Sequence, residues 1–159
     1  MDTVSPDLLR RFDIAGPRYT SYPTADRFVE AFTAADQGQA LADRRAGSAA
    51  GAQPLSLYVH LPFCESLCYF CACNKIITKH HGRAASYLRY LAREVDLLTA
   101  QLGVGQPVTQ LHLGGGTPTF LSDAELGELM ALLRRGFGLV AGGEYSIEID
   151  PRTVDAVRL

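Results

Sequence analysis

Leu55-Ser56-Leu57-Tyr58-Val59-His60-Leu61-Pro62-Phe63-Cys64 is the stretch on which the reading of this chain turns. Leu55, Leu57, Val59 and Leu61 alternate with Ser56, Tyr58 and His60. A period of two is that of a strand with one apolar and one polar face. Leu61-Pro62-Phe63 breaks the ladder, because Pro62 has no backbone N–H to donate. The chain then enters Cys64-Glu65-Ser66-Leu67-Cys68-Tyr69-Phe70-Cys71-Ala72-Cys73, which spaces its thiols as C-x3-C-x2-C-x-C.

The same rhythm continues downstream. Ala84 to Leu102 carries Tyr87, Leu88, Leu91, Val95, Leu98 and Leu102 on one side of a helix, and glycines end it. Val108 to Leu113 is a second strand, with Leu111 and Leu113 opposite Gln110 and His112. Ser122 and Glu125 form a capping box for a helix carrying Leu126, Leu129, Met130, Leu133 and Phe137. Gly142-Gly143 then makes a turn, and Glu144 to Asp150 is a third strand in which Tyr145, Ile147 and Ile149 alternate with Ser146, Glu148 and Asp150. The order β-α-β-α-β implies a parallel sheet with right-handed crossovers. Strands covered on both faces read as continuous apolar runs, whereas all three here keep a polar face. That suits a barrel or half-barrel, apolar outward against helices and polar inward around a ligand. An open sheet with one solvated face is the alternative.

Upstream, Asp7 to Phe12 can make a short helical turn, and the two prolines of residues 16–24 favour extended chain. Asp26 is positioned to cap a helix to about Arg45 with Phe28, Phe32 and Leu41 among its apolar positions. Residues 46–54 have linker composition. The expected division is an N-terminal extension and linker, 1–54, followed by β/α units, 55–159.

Composition narrows the class. The 159 residues are 47% hydrophobic and 20% charged, enough apolar content for one core. Fifteen Lys and Arg against 17 Asp and Glu give a net charge of −2, which offers no electrostatic footprint for nucleic acid or an anionic membrane. No apolar run approaches the ~18 residues of a membrane span. Met1 to Arg11 lacks a signal peptide's apolar stretch, so a cytoplasmic location is expected. All four cysteines lie between Cys64 and Cys73, too close together to staple distant segments.

The cysteines therefore mark a site, placed after a strand where parallel β/α proteins put their sites. Three readings are open. Three thiolates can hold a [4Fe–4S] cluster with one iron left free. All four can hold a structural zinc, although zinc sites usually pair knuckles far apart in sequence. They can also be incidental reduced thiols.

C-x3-C-x2-C with an aromatic before the third cysteine resembles the signature of the radical S-adenosylmethionine (SAM) enzymes. The likeness extends to Pro17-Arg18-Tyr19-Thr20-Ser21-Tyr22-Pro23-Thr24, Tyr58-Val59-His60-Leu61-Pro62-Phe63-Cys64, Cys71-Ala72-Cys73-Asn74-Lys75, Gly114-Gly115-Gly116-Thr117-Pro118-Thr119 and Glu148-Ile149-Asp150-Pro151-Arg152. Together these resemble the oxygen-independent coproporphyrinogen III oxidases, over roughly Phe12 to Asp155. Cys73 and the Tyr-Thr-Ser-Tyr-Pro stretch point to the oxidases rather than to their haem-binding chaperone relatives.

The resemblance implies an α/β fold, a partial parallel (β/α) barrel of radical SAM type with its first three β/α units present. It implies that Cys64, Cys68 and Cys71 ligate a [4Fe–4S] cluster and that Cys73 does not. Tyr58, Phe70, Gly115 and Glu148 fall at positions that contact SAM, and Gly116 and Thr117 at positions associated with a second SAM molecule. Tyr58, His60 and Cys73 are the catalytic candidates, His112 is a further inward histidine, and Arg18 and Lys75 are candidate clamps for substrate carboxylates. The implied reaction is oxidative decarboxylation of coproporphyrinogen III propionates to vinyl groups, giving protoporphyrinogen IX. Its partner would be a one-electron reductant such as a flavodoxin or ferredoxin. The family's chains are longer, with a barrel of six units, so this chain is expected to be their amino-terminal part and inactive alone.

Overall fold

The computed structural model describes residues 5–13, 24, 27–48, 53–69 and 71–158. The chain divides into two compact units, Met1–Gln37 and Gly38–Leu159. In the first, α1 (Pro6–Phe12) starts with Ser5 accepting from the Leu8 N–H at 3.1 Å. None of its residues is buried.

The next helix, α2 (Ala34–Ser48), begins later than the expected start at Asp26, which itself lies outside the described residues. Phe28 and Phe32 precede it and are exposed rather than lying on its apolar face. The reason is local. Thr33 and Asp36 form a reciprocal cap, with the Thr33 N–H donating to Asp36 Oδ2 at 2.7 Å and the Asp36 N–H to Thr33 Oγ1 at 3.4 Å. The Thr33 hydroxyl, which donates to Asp36 Oδ2 at 2.6 Å, and then the Thr33 N–H hold the Asp36 carboxyl below its ordinary pKa.

The second unit holds a three-stranded parallel sheet. Its strands are β1 (Leu55–Leu61), β4 (Gln106–Gly115) and β5 (Phe137–Ile147), with β4 in the middle. Two short strands, β2 (Phe63–Cys64) and β3 (Ile76–Ile77), pair in parallel at the neck of the cysteine loop. Helices α3 (Gly82–Leu102) and α4 (Asp123–Gly136) make the two crossovers. The expected capping box is present: the Ser122 hydroxyl accepts from the Glu125 N–H, and the Glu125 carboxylate accepts from the Ser122 N–H at 2.9 Å.

The apolar sides of the strands and the inner stripes of both helices meet in one core. Val59, Leu61, Val108, Leu111 and Leu113 pack with Ala84, Leu88 and Val95 of α3 and Leu129, Leu132 and Leu133 of α4. The polar residues share the other face in register. Ser56 pairs with Gln110 and Gln110 with Glu144; Tyr58 pairs with His112 and His112 with Ser146. The architecture is the parallel α/β arrangement of a partial barrel that the alternation predicts.

The third strand departs from expectation. Phe137 to Gly143, read as helix end and turn, belongs to β5. Register explains the difference: Val108 lies opposite Leu139, but Gln110 lies opposite Glu144, so β5 carries extra residues that bulge out of the ladder. Gly142, at φ +77°, supplies the left-handed residue that lets the chain rejoin it. At the other end the assigned strand stops at Ile147, while the Glu148 N–H still donates to the Leu113 carbonyl at 2.9 Å.

The core yields a direct test. Leu129 is 0% exposed and Leu97 is 64% exposed. Leu129→Ala is expected to cost about 2–5 kcal/mol of unfolding free energy, whereas Leu97→Ala stays within about 0.5 kcal/mol. Urea denaturation measures both, and equal effects would contradict this packing.

Candidate functional site

The cysteine loop grows from a neck that is hydrogen-bonded on both sides. On one side the Ile76 N–H donates to the Pro62 carbonyl at 2.7 Å and the Thr78 N–H to the Cys64 carbonyl at 2.8 Å. On the other, the Gly116 N–H donates to the Leu61 carbonyl and the Thr117 N–H to the Phe63 carbonyl, each at 2.8 Å. Pro62 ends β1 as expected, but the break redirects the chain instead of freeing it. The floor beneath the neck is aromatic. Phe63 stacks on Phe120 with ring centroids 5.2 Å apart and meets the Tyr87 edge at 5.6 Å. The Tyr87 hydroxyl donates to the His60 carbonyl.

Above this floor Cys64, Cys68, Cys71 and Cys73 line one open cleft of about 550 Å3. Gly115, Gly116, Thr117 and Glu148 line it as well, followed by residues 149–152. Eight sequence candidates thus meet at the carboxyl ends of the parallel strands. Thr117 Oγ1 donates to Cys64 Sγ at 3.4 Å. Burial, above all, and the neighbouring Cys71 push the Cys73 thiol above its ordinary pKa. The Lys75 charge opposes that shift. Among the described residues no three Cys, His or carboxylate side chains close on a point as they would around a single ion. The thiols line a cleft of about 550 Å3, and their donor set suits iron–sulfur chemistry.

Tyr58 and His60 stand beside the cleft, on the inner face of β1. The His60 Nε2 lies 2.8 Å from the Asn74 carbonyl oxygen and Nδ1 3.0 Å from the Tyr58 hydroxyl. A carbonyl only accepts, so Nε2 carries the proton and Nδ1 accepts from Tyr58. His60 thereby ties β1 to the residue that follows Cys73. Tyr58 also stacks on His112, with centroids 5.8 Å apart and planes 13° from parallel. Burial and, secondarily, the Glu148 charge raise the Tyr58 pKa, keeping the phenol protonated and able to donate.

Glu148 is not buried in a salt bridge with Arg152. Its Oε2 accepts from the Gly115 N–H at 3.1 Å and its Oε1 lies 3.4 Å from His112 Nε2, with the side chain 52% exposed. Gly115 has φ +110°, and a Cβ there would lie 2.7 Å from the His60 ring. Only glycine fits both the backbone and the space. Phe70 and Arg18 lie outside the described residues.

Sequence reasoning missed the contacts of three residues. His81 stacks on Phe120 at 4.3 Å and its Nε2 lies 3.1 Å from Glu65, the residue after Cys64. Arg158 binds the Thr119 and Leu121 carbonyls. Arg152 forks onto Asp150 and reaches Cys68. Only the Asp150-Pro151-Arg152 turn signature hinted at any of these locally.

Fold and cleft together define a class: parallel strands of a β/α barrel with a cysteine-lined loop at the carboxyl end of the first strand. No protein-family model matches the chain. The oxygen-independent coproporphyrinogen III oxidase of Pseudomonas aeruginosa is 54% identical over 160 residues, covering 98% of this chain and 34% of that protein. The relative of the same name from Mannheimia haemolytica is 46% identical over 144 residues, covering 91% of this chain and 94% of that sequence. Among solved structures, a coproporphyrinogen III oxidase from Escherichia coli, described as a radical SAM enzyme, matches with a TM-score of 0.76 at 44% identity. That match covers 93% of this chain and 31% of the other.

The chain belongs to the oxygen-independent coproporphyrinogen III oxidase family and has the radical SAM fold of its structural neighbour, as the motifs implied. It spans about a third of the length of the P. aeruginosa relative, 34%. Radical SAM enzymes as a class use a [4Fe–4S] cluster and SAM. No helix among the described residues is long and apolar enough to cross a membrane.

The fit between Gly115 and His60 predicts a coupling. Gly115→Ala is expected to destabilise the chain, and less so in a His60→Ala background, with a coupling of about 0.5–3 kcal/mol in a denaturation double-mutant cycle. Additive effects would show that the His60 ring does not fill the space Gly115 leaves.

Proposed function

We propose that this chain is the cofactor-binding segment of an oxygen-independent coproporphyrinogen III oxidase. One observation carries the reading: the thiols of Cys64, Cys68 and Cys71 line the same cleft as Gly115, Gly116, Thr117 and Glu148. In this reading the three thiolates hold a [4Fe–4S] cluster and leave one iron without a protein ligand. When bound, the cluster and SAM together supply radical hydrogen abstraction.

The chain's own residues hold and orient. Glu148, half exposed and bonded to the Gly115 N–H, retains acceptor capacity for an ammonium or hydroxyl of SAM. Gly115 and Gly116 let the ligand approach the backbone, Thr117 steadies Cys64, and Tyr58 and Phe70 complete the nucleoside's surroundings. His60 is a positioning residue that fixes the end of the cysteine loop through Asn74. Cys73, kept a thiol, stands beside the ligands without being one. Lys75 and Arg18 are proposed to meet substrate carboxylates.

The substrate we assign is coproporphyrinogen III. Two propionates each lose one hydrogen, carbon dioxide and a further electron to become vinyl groups, giving protoporphyrinogen IX. A one-electron donor such as a flavodoxin or ferredoxin supplies the reducing equivalent that starts each cycle, in the cytoplasm. Residues 1–54 are the extension and linker, and 55–159 the first half of the barrel. The polar inner face of the three strands here is only part of a substrate cavity, so the 159 residues alone are expected not to turn over porphyrinogen. An anaerobic assay that detects turnover by the purified chain would reject that last point.

The cofactor assignment has its own test. Chain purified without oxygen and supplied with ferrous salt and sulfide is expected to bind iron and sulfide in near-equal amounts. Its reduced paramagnetic signal should change on adding SAM, and reductant-dependent 5′-deoxyadenosine should form. Replacing Cys64, Cys68 or Cys71 by Ala abolishes the cluster, whereas Cys73→Ala retains its iron. Zinc in place of iron, or a signal indifferent to SAM, overturns the proposal.

A further inference from the structure

Arg152 is held in a geometry that the cofactor contacts do not require. The sequence Asp150-Pro151-Arg152-Thr153 folds into a β-turn, with the Thr153 N–H donating to the Asp150 carbonyl at 2.9 Å and proline at the second position, where its fixed φ suits the turn. The Asp150 side chain folds back into the same turn. Its Oδ1 accepts from the Arg152 backbone N–H at 2.9 Å. The guanidinium is then gripped by the carboxylate: Nε lies 2.9 Å from Oδ1 and 3.1 Å from Oδ2, and Nη2 lies 2.7 Å from Oδ2. Thr153 Oγ1, 3.2 Å from Thr119 Oγ1, anchors the turn to the segment after β4.

A guanidinium fixed in this way points its remaining donors in a set direction. Nη2 donates to Cys68 Sγ at 3.6 Å, across 84 residues of sequence. Cys68 is exposed near the tip of the loop, and no other hydrogen bond to its sulfur is present among the described residues.

We propose that Arg152, positioned by Asp150, sets the reduction potential of the iron–sulfur cluster by donating to the sulfur of Cys68. The inference rests on Cys68 being a cluster ligand, as proposed above. Adding an electron to the cluster makes it more negative, and that charge is spread over its ligand sulfurs. An N–H···S hydrogen bond from a cationic donor stabilises the reduced state more than the oxidised one, so the potential rises. Asp150 offsets the net charge of Arg152, so the effect is carried mainly by the hydrogen bond to sulfur and is local to Cys68. The process is a one-electron reduction, oxidised cluster to reduced cluster, with the electron supplied in the test by dithionite through viologen mediators.

The experiment is a mediated redox titration of the anaerobically reconstituted chain, followed by the paramagnetic signal of the reduced cluster. Arg152→Met is expected to load iron and sulfide fully and to show a reduced-to-oxidised ratio about tenfold lower at the parent's midpoint, equivalent to a midpoint about 59 mV lower for a one-electron couple. Arg135→Met, which removes a cation from α4, leaves the midpoint unchanged. Arg152→Lys keeps the charge but cannot make the same fork, and it decides the matter if Arg152→Met loads poorly. A lowered midpoint in the lysine variant supports the proposal, and a midpoint equal to the parent's overturns it. A parent chain that binds no cluster overturns this inference together with the proposed function; a loaded parent whose variants keep its potential overturns this inference alone.

Discussion

The backbone from Leu61 to Cys64 is hydrogen-bonded along both edges, and the site hangs from it. Four carbonyls in succession along this run are used: Leu61 and Phe63 accept from Gly116 and Thr117, and Pro62 and Cys64 accept from Ile76 and Thr78. The alternation follows from strand geometry, in which successive carbonyls point to opposite sides. Pro62 is tolerated in the run because its carbonyl, not its missing N–H, makes the bond. The consequence is a loop whose two ends and whose glycine-rich neighbour share a single frame. Leu61 and Phe63 are almost fully buried beneath it, so the frame cannot shift without exposing the core.

From that frame the polar face follows as a set of steric agreements. Inner-face rings on β1 and β4 occupy space that ordinary side chains after β4 would need. His60 fills the space above Gly115, and His112 with Tyr58 fills that above Gly114. Gly114 and Gly115 are therefore required by the histidines and tyrosine of the facing rows, and Gly116 by the Pro62–Phe63 backbone, which a Cβ there would approach to 2.7 Å, independently of any ligand. Several inner polar groups also find partners across the sheet. Ser56 pairs with Gln110, Gln110 with Glu144, and His112 with Ser146. A parallel sheet with one polar face is stable in this form because its polar atoms satisfy one another.

What was legible in the sequence was local. Alternation marked Leu55 to Leu61, and the box Ser122/Glu125 marked the start of α4, since both signals lie within a few residues of their effect. The start of α2 went astray because several residues there can cap: Asp26 was a good candidate, but Thr33 with Asp36 satisfies two donors at once. The bulge in β5 was hidden because Gly142-Gly143 reads as a turn whether or not the flanking residues pair with β4. The meeting of cysteines, glycines and Glu148 could be expected from strand order alone, because parallel strands bring their carboxyl ends together. Contacts such as His81 with Glu65 or Arg152 with Cys68 have no such rule behind them. They depend on side-chain reach across a cleft that only the folded chain defines.

Two carboxylates at this end of the sheet show how environment separates roles that composition leaves equal. Asp150 has its side chain 16% exposed and receives three guanidinium contacts and a backbone N–H, so its pKa is held below the usual range, chiefly by Arg152. Its acceptor sites are taken, and it serves to aim a cation. Glu148, two residues earlier, accepts one N–H and stands at long range from a histidine, with half its side chain open to the cleft. It is the carboxylate with capacity to spare for a bound cation or hydroxyl. Arg152 makes its ion pair with Asp150 at 2.7 Å, so the charge it neutralises is that of Asp150 rather than Glu148.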